Sequence, residues 1–349
     1  IMSNLNIDSP KGILRKGWSA TVDDYAIGGG WACGYDVLVV GDAAGGVFGF
    51  KGTSGDTIWK QPNIHNGGLL SIDIHPKRIL FASAGQDGRV LIWNSNDGQI
   101  LQTIELGKGW VEKIAWSPSG AWLAMSISRR VHVYSVDGQK IWSSEDHPST
   151  VSAIAWASET ELVTTCYGKV TFFDIPSGDV LQKFQWKGSL VSLALSPDGD
   201  VVACGSQDNS IHFWRRSTGE DSMMSGYPGK PSELSFDRTG TLLATGGSES
   251  VTVWNFDGDG PEGTRPDILE FHVRMITKLE FSNYSTRLAS GSRGGSVIVW
   301  SVKKEEKSGI IGAALLNDVV AELIWRPDDR ALAALDANGG VTVWRVHSK

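Results

Sequence analysis

The sequence predicts an all-β fold, a single β-propeller of eight four-stranded blades, on three observations. The first is a short β-branched and aromatic run ending in a large ring, which recurs as GVFGF (46–50), RVLIW (89–93), RVHVY (130–134), KVTFF (169–173), SIHFW (210–214), SVTVW (250–254), SVIVW (296–300) and GVTVW (340–344). The second is spacing. The ring positions Phe50, Trp93, Tyr134, Phe173, Trp214, Trp254, Trp300 and Trp344 lie 43, 41, 39, 41, 40, 46 and 44 residues apart, and a period of about 40 to 45 residues marks a radial array of sheets. The third is punctuation: Asp97-Gly98, Asp137-Gly138, Ser177-Gly178, Thr218-Gly219 and Asp257-Gly258 follow five of the runs. Such pairs tolerate the positive backbone angles of tight hairpins.

Each copy divides into four strands by its own turn signals. In the second, LLSIDIHP (69–76) alternates apolar and polar, ILFASAG (79–85) runs into the GQDGR turn, VLIW follows, and NSNDGQ leads to ILQTI (100–104). The order recurs around VEKIAWSPSG (111–120), VSLALSPDG (191–199), ELSFDRTG (233–240) and AELIWRPDD (321–329). One such sheet cannot bury its faces alone, so each requires two neighbours. The spacing of 46 coincides with GDGPEGTRP (258–266), expected as a surface loop of the sixth blade. The last copy stops after its third strand, at Ser348-Lys349, and ILRKGWSA (13–20) is expected to supply the fourth. That pairing would close the ring and remove two sheet edges that otherwise invite aggregation. The propeller is thus expected over 13–349 with residues 1–12 as an extension; Ile1, ahead of Met2, is left out of the fold reasoning. Because YAIGGGWACGYD (25–36) is rich in glycine, seven blades with an irregular N-terminal cap is the alternative.

Composition bounds the function. Among 349 residues, 41% are hydrophobic and 20% charged, with 42 glycines, 15 tryptophans and 12 prolines, which excludes disordered, collagen-like and coiled-coil chains. A net charge of -7 argues against nucleic acid as the main ligand, since that binding runs on neutralising phosphates. Cys33, Cys166 and Cys204 are odd in number and far apart, which suits a reducing compartment and a cytoplasmic location. The first twenty residues hold no apolar core of the secretory kind, and no run of about 18 apolar residues predicts a membrane span.

The repeats resemble the tryptophan-aspartate (WD40) repeat family across essentially the whole chain. The family dipeptide stands as Phe173-Asp174 and is altered in Trp93-Asn94, Trp214-Arg215, Trp254-Asn255, Trp300-Ser301 and Trp344-Arg345. The resemblance implies a hydrogen-bonded tetrad of histidine, serine, aspartate and tryptophan, matched in full by His65, Ser83, Asp87 and Trp93. Blade seven keeps His272, Ser290 and Trp300 with Gly294 at the aspartate position; blade five keeps Asp208 and Trp214 with Lys187 and Cys204; blade four keeps His147 alone. A buried indole N–H or imidazole left unpaired costs roughly 1–3 kcal/mol, so these histidines are structural. The resemblance implies seven blades most often; the count of third strands is eight.

No chemistry-bearing constellation appears. The histidines and cysteines occur singly, without C-x-x-C or H-x-x-x-H spacing, so no metal site and no cofactor is expected. Neither a phosphate-cradling glycine motif nor a G-x-S-x-G elbow is present, and no catalytic residue is assigned. His132 and His212 sit inside third strands as packed residues; Asp23-Asp24, Glu145-Asp146 and Asp328-Asp329 read as turn residues, and the 303–307 charge run as a solvated loop. In a propeller the loops before the first strands, and between the second and third, gather around the channel mouth. Tyr25, Gly68, Trp110, Thr150, Leu190, Lys230, Met275 and Val319 align just before the first strands, and Gln86, Gln207 and Arg293 just before the turn aspartate position, with Arg274 beside them. Aromatic and arginine side chains so grouped resemble an interface hot spot. The expected function is a non-catalytic scaffold whose partner site comprises Tyr25, Gln86, Trp110, Leu190, Gln207, Lys230, Arg274, Met275 and Arg293. It would bind a protein or peptide as a monomeric ring within a larger complex. The alternative is an enzyme or a small-ligand or metal binder using the central channel.

Overall fold

A computed structural model of the chain describes residues 9–347. Of the expected extension, residues 1–8 lie outside the described residues, as do Ser348 and Lys349 at the expected end of the eighth copy. Eight antiparallel sheets form an eight-bladed β-propeller, all-β apart from one 3-10 turn at Cys33–Tyr35. By its contacts the chain divides into two compact units, one of residues 20–193 and one of residues 194–349 together with 1–19.

The first unit carries blades one to four. Blade one is Ala26–Trp31, Val37–Asp42, Val47–Lys51 and Thr57–Gln61; blade two is Leu69–Ile74, Leu80–Gly85, Arg89–Asn94 and Ile100–Glu105. Blade three is Val111–Trp116, Trp122–Ile127, Arg130–Ser135 and Lys140–Ser143; blade four is Ala153–Trp156, Glu161–Cys166, Lys169–Asp174 and Val180–Gln185. Blade one is a regular sheet, so the seven-bladed alternative falls. Gly30 serves packing: a Cβ there would run into the Ile74 side chain of blade two. Second and third strands are buried nearly throughout, as expected of sheets covered on both faces.

The tryptophans join neighbouring blades. Trp59 of blade one stacks on Phe81 and Trp93 of blade two at 5.8 and 6.1 Å, while its indole N–H donates to the Ser95 carbonyl at 2.8 Å. Trp116 and Trp156 end their first strands and donate to the carbonyls of Asp73 and Ala115 in the preceding blade, at 3.1 and 2.9 Å. Each indole thus fills the gap between two sheets and still satisfies its polar atom.

The second unit holds the larger part of blade five (Leu190–Leu195, Val201–Ser206, Ile211–Arg215, Asp221–Met224) and blade six (Glu233–Phe236, Leu242–Gly246, Val251–Asn255, Asp267–Leu269). Blade seven is Ile276–Phe281, Arg287–Ser292, Ser296–Ser301 and Gly309–Leu315; blade eight is Val320–Trp325, Ala331–Asp336 and Gly340–Val346, completed by Leu14–Thr21. Trp325 repeats the indole bridge, donating to the Glu280 carbonyl of blade seven at 3.0 Å. The 258–266 insertion joins the third and fourth strands of blade six, as expected.

The N-terminal strand pairs with the C-terminal blade, and the chain goes one step further. Lys11–Gly12, expected within an extension, pairs with the outer strand of blade seven through Lys11↔Ala313 and Gly12↔Gly312. Ile13 then donates to the Ile311 carbonyl at 2.8 Å and accepts from the His347 amide at 2.9 Å, stitching blades seven and eight. Gly12 has φ +68°, and a Cβ there would collide with the Ile311 carbonyl, so only glycine fits this crossing.

Candidate functional site

The predicted tetrad is present in blade two. His65 Nδ1 lies 3.1 Å from Asp87, its Nε2 2.7 Å from Ser83 Oγ, and Trp93 donates to the same Oγ at 2.9 Å. Because the carboxylate only accepts, Nδ1 carries the proton, Nε2 accepts from the serine, and the serine accepts from the indole. Burial holds the His65 pKa below its ordinary value, keeping the ring neutral.

Other blades build the same network from different residues. In blade four His147 donates from Nδ1 to the Arg129 carbonyl at 2.9 Å and meets Thr164 Oγ1 at 2.8 Å through Nε2, so threonine replaces the serine. In blade seven His272 meets Ser290 at 2.7 Å and Trp300 donates to that serine at 2.8 Å; Ser296, not position 294, faces His272 Nδ1 at 2.6 Å. Blade six, where no tetrad was expected, has a set of three side chains without histidine. Tyr227 Oη accepts from Trp254 Nε1 at 2.7 Å and meets Thr245 Oγ1 at 2.7 Å. Tyr227 precedes Thr245 by 18 residues, the interval that separates His65 from Ser83 and His272 from Ser290. By that interval Trp186, rather than Lys187, stands at the histidine position before Cys204 in blade five. These polar sets serve the fold and engage both ring nitrogens of His65, His147 and His272.

The residues expected at the partner face occupy loops at equivalent places in the repeat. In the first unit, Tyr25 is 40% and Trp110 53% exposed. Gln86 is half-buried, and its backbone N–H donates to the Gly68 carbonyl at 3.0 Å, joining the two loop sets at one end of blade two. The Trp110 loop lies beside the blade-two turn, since Leu106 donates to the Gly88 carbonyl at 2.9 Å. Leu190 is a correction: it is 2% exposed and begins the innermost strand, offering no side chain to a partner. Its counterparts Leu69, Val111, Ile276 and Val320 are equally buried, so the position before the strand is Ser189. In a strand a one-residue slip reverses inside and outside.

In the second unit, Gln207, Lys230, Arg274 and Arg293 are exposed. The Arg293 amide donates to the Met275 carbonyl at 2.9 Å, and Arg274 lies against Gly294, so blade seven gathers Arg274, Met275 and Arg293. Val273, which sequence reasoning passed over, is 88% exposed in the same loop, with Met275 at 45%. Between the histidine and the first strand, an apolar residue at this exposure was the available signal.

Burial and pairing shift several titratable groups. Burial pushes the Cys204 thiol far up, which disfavours the nucleophilic thiolate. On the first strands of blades six to eight, Lys278 Nζ stands 3.7 Å from both Glu233 and Glu322. Glu322 foremost holds the Lys278 pKa up at about 12, so the amine stays charged, while burial raises Glu233 to about 7. Among the described residues no group of three or more His, Cys, Asp or Glu side chains is arranged to hold a metal ion. No helix among them is long and apolar enough to cross a membrane.

The comparisons with known proteins agree with the repeat geometry. A family model described as "WD domain, G-beta repeat" matches residues 60–94, 178–215 and 263–301, and one described as "Anaphase-promoting complex subunit 4 WD40 domain" matches residues 114–194. The pre-mRNA-processing factor 19 of Oryza sativa subsp. japonica is 26% identical over 199 residues, covering 54% of this chain and 38% of that protein. The chain therefore spans well under half the length of that relative. A guanine nucleotide-binding protein subunit beta of the same organism is 24% identical over 262 residues, covering 68% of this chain and 69% of that one. The crystal structure of the computationally designed Ika8 protein superposes with a TM-score of 0.81 at 20% identity, covering 95% of this chain and 100% of that chain. At that identity the likeness is one of fold.

Proposed function

The chain belongs to the WD40-repeat propellers, and from that membership we propose that it is a non-catalytic interaction scaffold holding a protein or peptide partner on its channel-mouth face, as a monomer within a larger complex. One observation carries the reading. Of the fifteen tryptophans Trp110 is the exposed one; the rest are buried or half-buried. The core gains nothing from an indole in solvent, whereas a partner that covers it gains a rigid amphipathic anchor. Tyr25 is exposed in the same unit, and the other unit by itself exposes Val273, Arg274, Met275 and Arg293, side chains of hot-spot type. Two of the matches are named as parts of assemblies, one a complex subunit and one a subunit beta, which supports a life in complexes. A cytoplasmic setting belongs to the same proposal, since Cys166 and Cys204 are both buried free thiols. A net charge of -7 favours protein over nucleic acid as the partner.

The test is affinity capture with quantitative mass spectrometry, comparing wild type with Trp110→Ala. A partner captured by wild type should fall at least tenfold with the variant while circular dichroism and thermal unfolding stay unchanged. Equal capture by a folded variant refutes the site.

A further inference from the structure

The rim of blades five and six carries a continuous trough that the channel-mouth reading does not use. It consists of three adjoining cavities of about 550, 420 and 480 Å3, all within the second unit. The first and second share Phe213, Ser222 and Glu262; the second and third share Ser225 and Trp254. One wall is the outer strand of blade five and its continuation through Tyr227-Pro228, and the other is the 258–266 insertion with the outer strand of blade six. Following the chain from Glu220 to Gly226 gives about 23 Å of wall at about 3.3 Å per residue, enough for an extended segment of roughly seven residues.

Its two ends differ in chemistry. At one end stand the carboxylates of Asp200, Glu220, Asp221, Asp259 and Glu262. Arg215 is there too, but its guanidinium is taken up by the Phe256 and Gly260 carbonyls at 3.3 and 2.5 Å, holding the insertion in place. His212, 3.2 Å from Asp221, is kept from protonating by burial, so it does not neutralise the cluster. At the other end Tyr227, Pro228, Trp254, Pro266 and Ile268 supply large apolar surface beside the hydroxyls of Ser248, Ser250 and Thr252, and a single carboxylate, Glu270, stands there against five at the first end. Ile268 is 57% exposed and Met223, midway, 45%.

Strand pairing is short at this place. The outer strand of blade six has three residues, pairing Asp267–Leu269 with Val251–Val253, and so stops short of Trp254 and Asn255. The outer strand of blade seven has seven residues and receives a further strand, the chain's own Lys11–Gly12. Edge addition by an extended segment is therefore already practised in this fold.

We propose that the trough at blades five and six is a second docking site, which takes an extended segment of a partner protein carrying lysine or arginine at one end and large apolar side chains at the other. The carboxylates set the direction of the segment, and the Trp254–Ile268 end supplies apolar burial.

Random ten-residue peptides displayed on phage are selected on the full chain. The expected pool concentrates Lys and Arg at one end and Leu, Ile, Phe or Trp at the other. A fluorescein-labelled member of the pool should bind at least tenfold more weakly to Glu262→Lys/Ile268→Lys and several-fold more weakly to Glu220→Gln/Asp259→Asn. All four side chains are exposed, so these variants should fold, as circular dichroism checks. Trp110→Ala should bind the peptide as wild type does, which separates this site from the channel-mouth site. The proposal is overturned by a selection that yields nothing above background, by a pool without that polarity, or by unchanged binding to both pairs of substitutions. Self-association in sedimentation that is lost with Ile268→Lys would assign the trough to a second copy of the chain and overturn it too.

Discussion

Ser290→Ala should destabilise the protein more than the further loss of its histidine partner does. Ser290 is fully buried and its Oγ serves two groups, His272 Nε2 at 2.7 Å and Trp300 Nε1 at 2.8 Å, whose residues are 5% and 3% exposed. Removing the hydroxyl strands both, and each stranded polar atom costs roughly 1–3 kcal/mol, so about 2–6 kcal/mol is expected for the single variant. Blade eight shows the apolar solution, with Leu316, Ala334 and Trp344 buried in one cluster at the corresponding places. His272→Leu with Ser290→Ala imitates it. The histidine leaves with the serine, Ser296 retains Ser292 at 2.7 Å, and one unpaired N–H remains instead of two buried groups. The double variant should therefore recover about 1–2 kcal/mol relative to Ser290→Ala alone, a coupling of the size that neighbouring side chains show. Guanidinium unfolding of wild type, both single variants and the double variant, followed by tryptophan fluorescence, gives the cycle. A Ser290→Ala variant within about 0.5 kcal/mol of wild type, or a double variant no more stable than Ser290→Ala alone, refutes the reasoning.

The same pair of variants reads out acid sensitivity. Burial lowers the His272 pKa to about 4, so the folded state binds fewer protons than the unfolded state between about pH 6.5 and 4. The stability present above pH 6.5 is then lost as the pH falls through that window, by about 3 kcal/mol for this residue. Wild type should lose that much relative to the double variant between pH 7 and 4 in urea titrations, and a constant difference would count against a neutral buried imidazole. Deleting residues 1–20 removes both the fourth strand of blade eight and the fifth strand of blade seven. It takes Ile13 and Leu14 out of the cluster that also holds Leu316 and Val346, so calorimetry should show a midpoint lower by at least 5 °C, and an unchanged midpoint would show those strands to be dispensable.

The repeat was legible because a run of four strands leaves a long-range period that no single substitution erases. Eight ring positions, the hairpin glycines and the missing fourth strand of the last blade all follow from that period. What stayed hidden has specific causes. Lys11–Gly12 is too short to show any alternation. Leu190 was placed one residue out because Leu190, Val191, Leu193 and Leu195 are apolar on both parities, and alternation cannot fix the register there. Thr164, Ser296 and the Tyr227–Thr245 pair escaped because the network needs a hydroxyl at a place, not a serine or an aspartate by name. The rim trough was invisible for a different reason: its walls come from Asp200 to Ile268 and meet only once the insertion has folded back on Arg215.

The substitutions among the polar sets also bear on where function can be read in this fold. Blade two fills the space between histidine and ring positions with four polar residues, blade six with tyrosine and threonine, and blade eight with leucine and alanine. The backbone repeats regardless, so the fold demands filled volume and no stranded polar atom rather than particular residues. A departure from the tetrad is consequently explained by packing alone: Thr164 keeps a hydroxyl on His147, and Cys204 fills its place fully buried. The informative departures lie where packing demands nothing. An exposed indole at 110, valine and methionine flanking Arg274, and an outer strand cut to three residues beside an apolar trough all forgo burial available elsewhere in the same repeat. Contact with another molecule is the condition that would restore it.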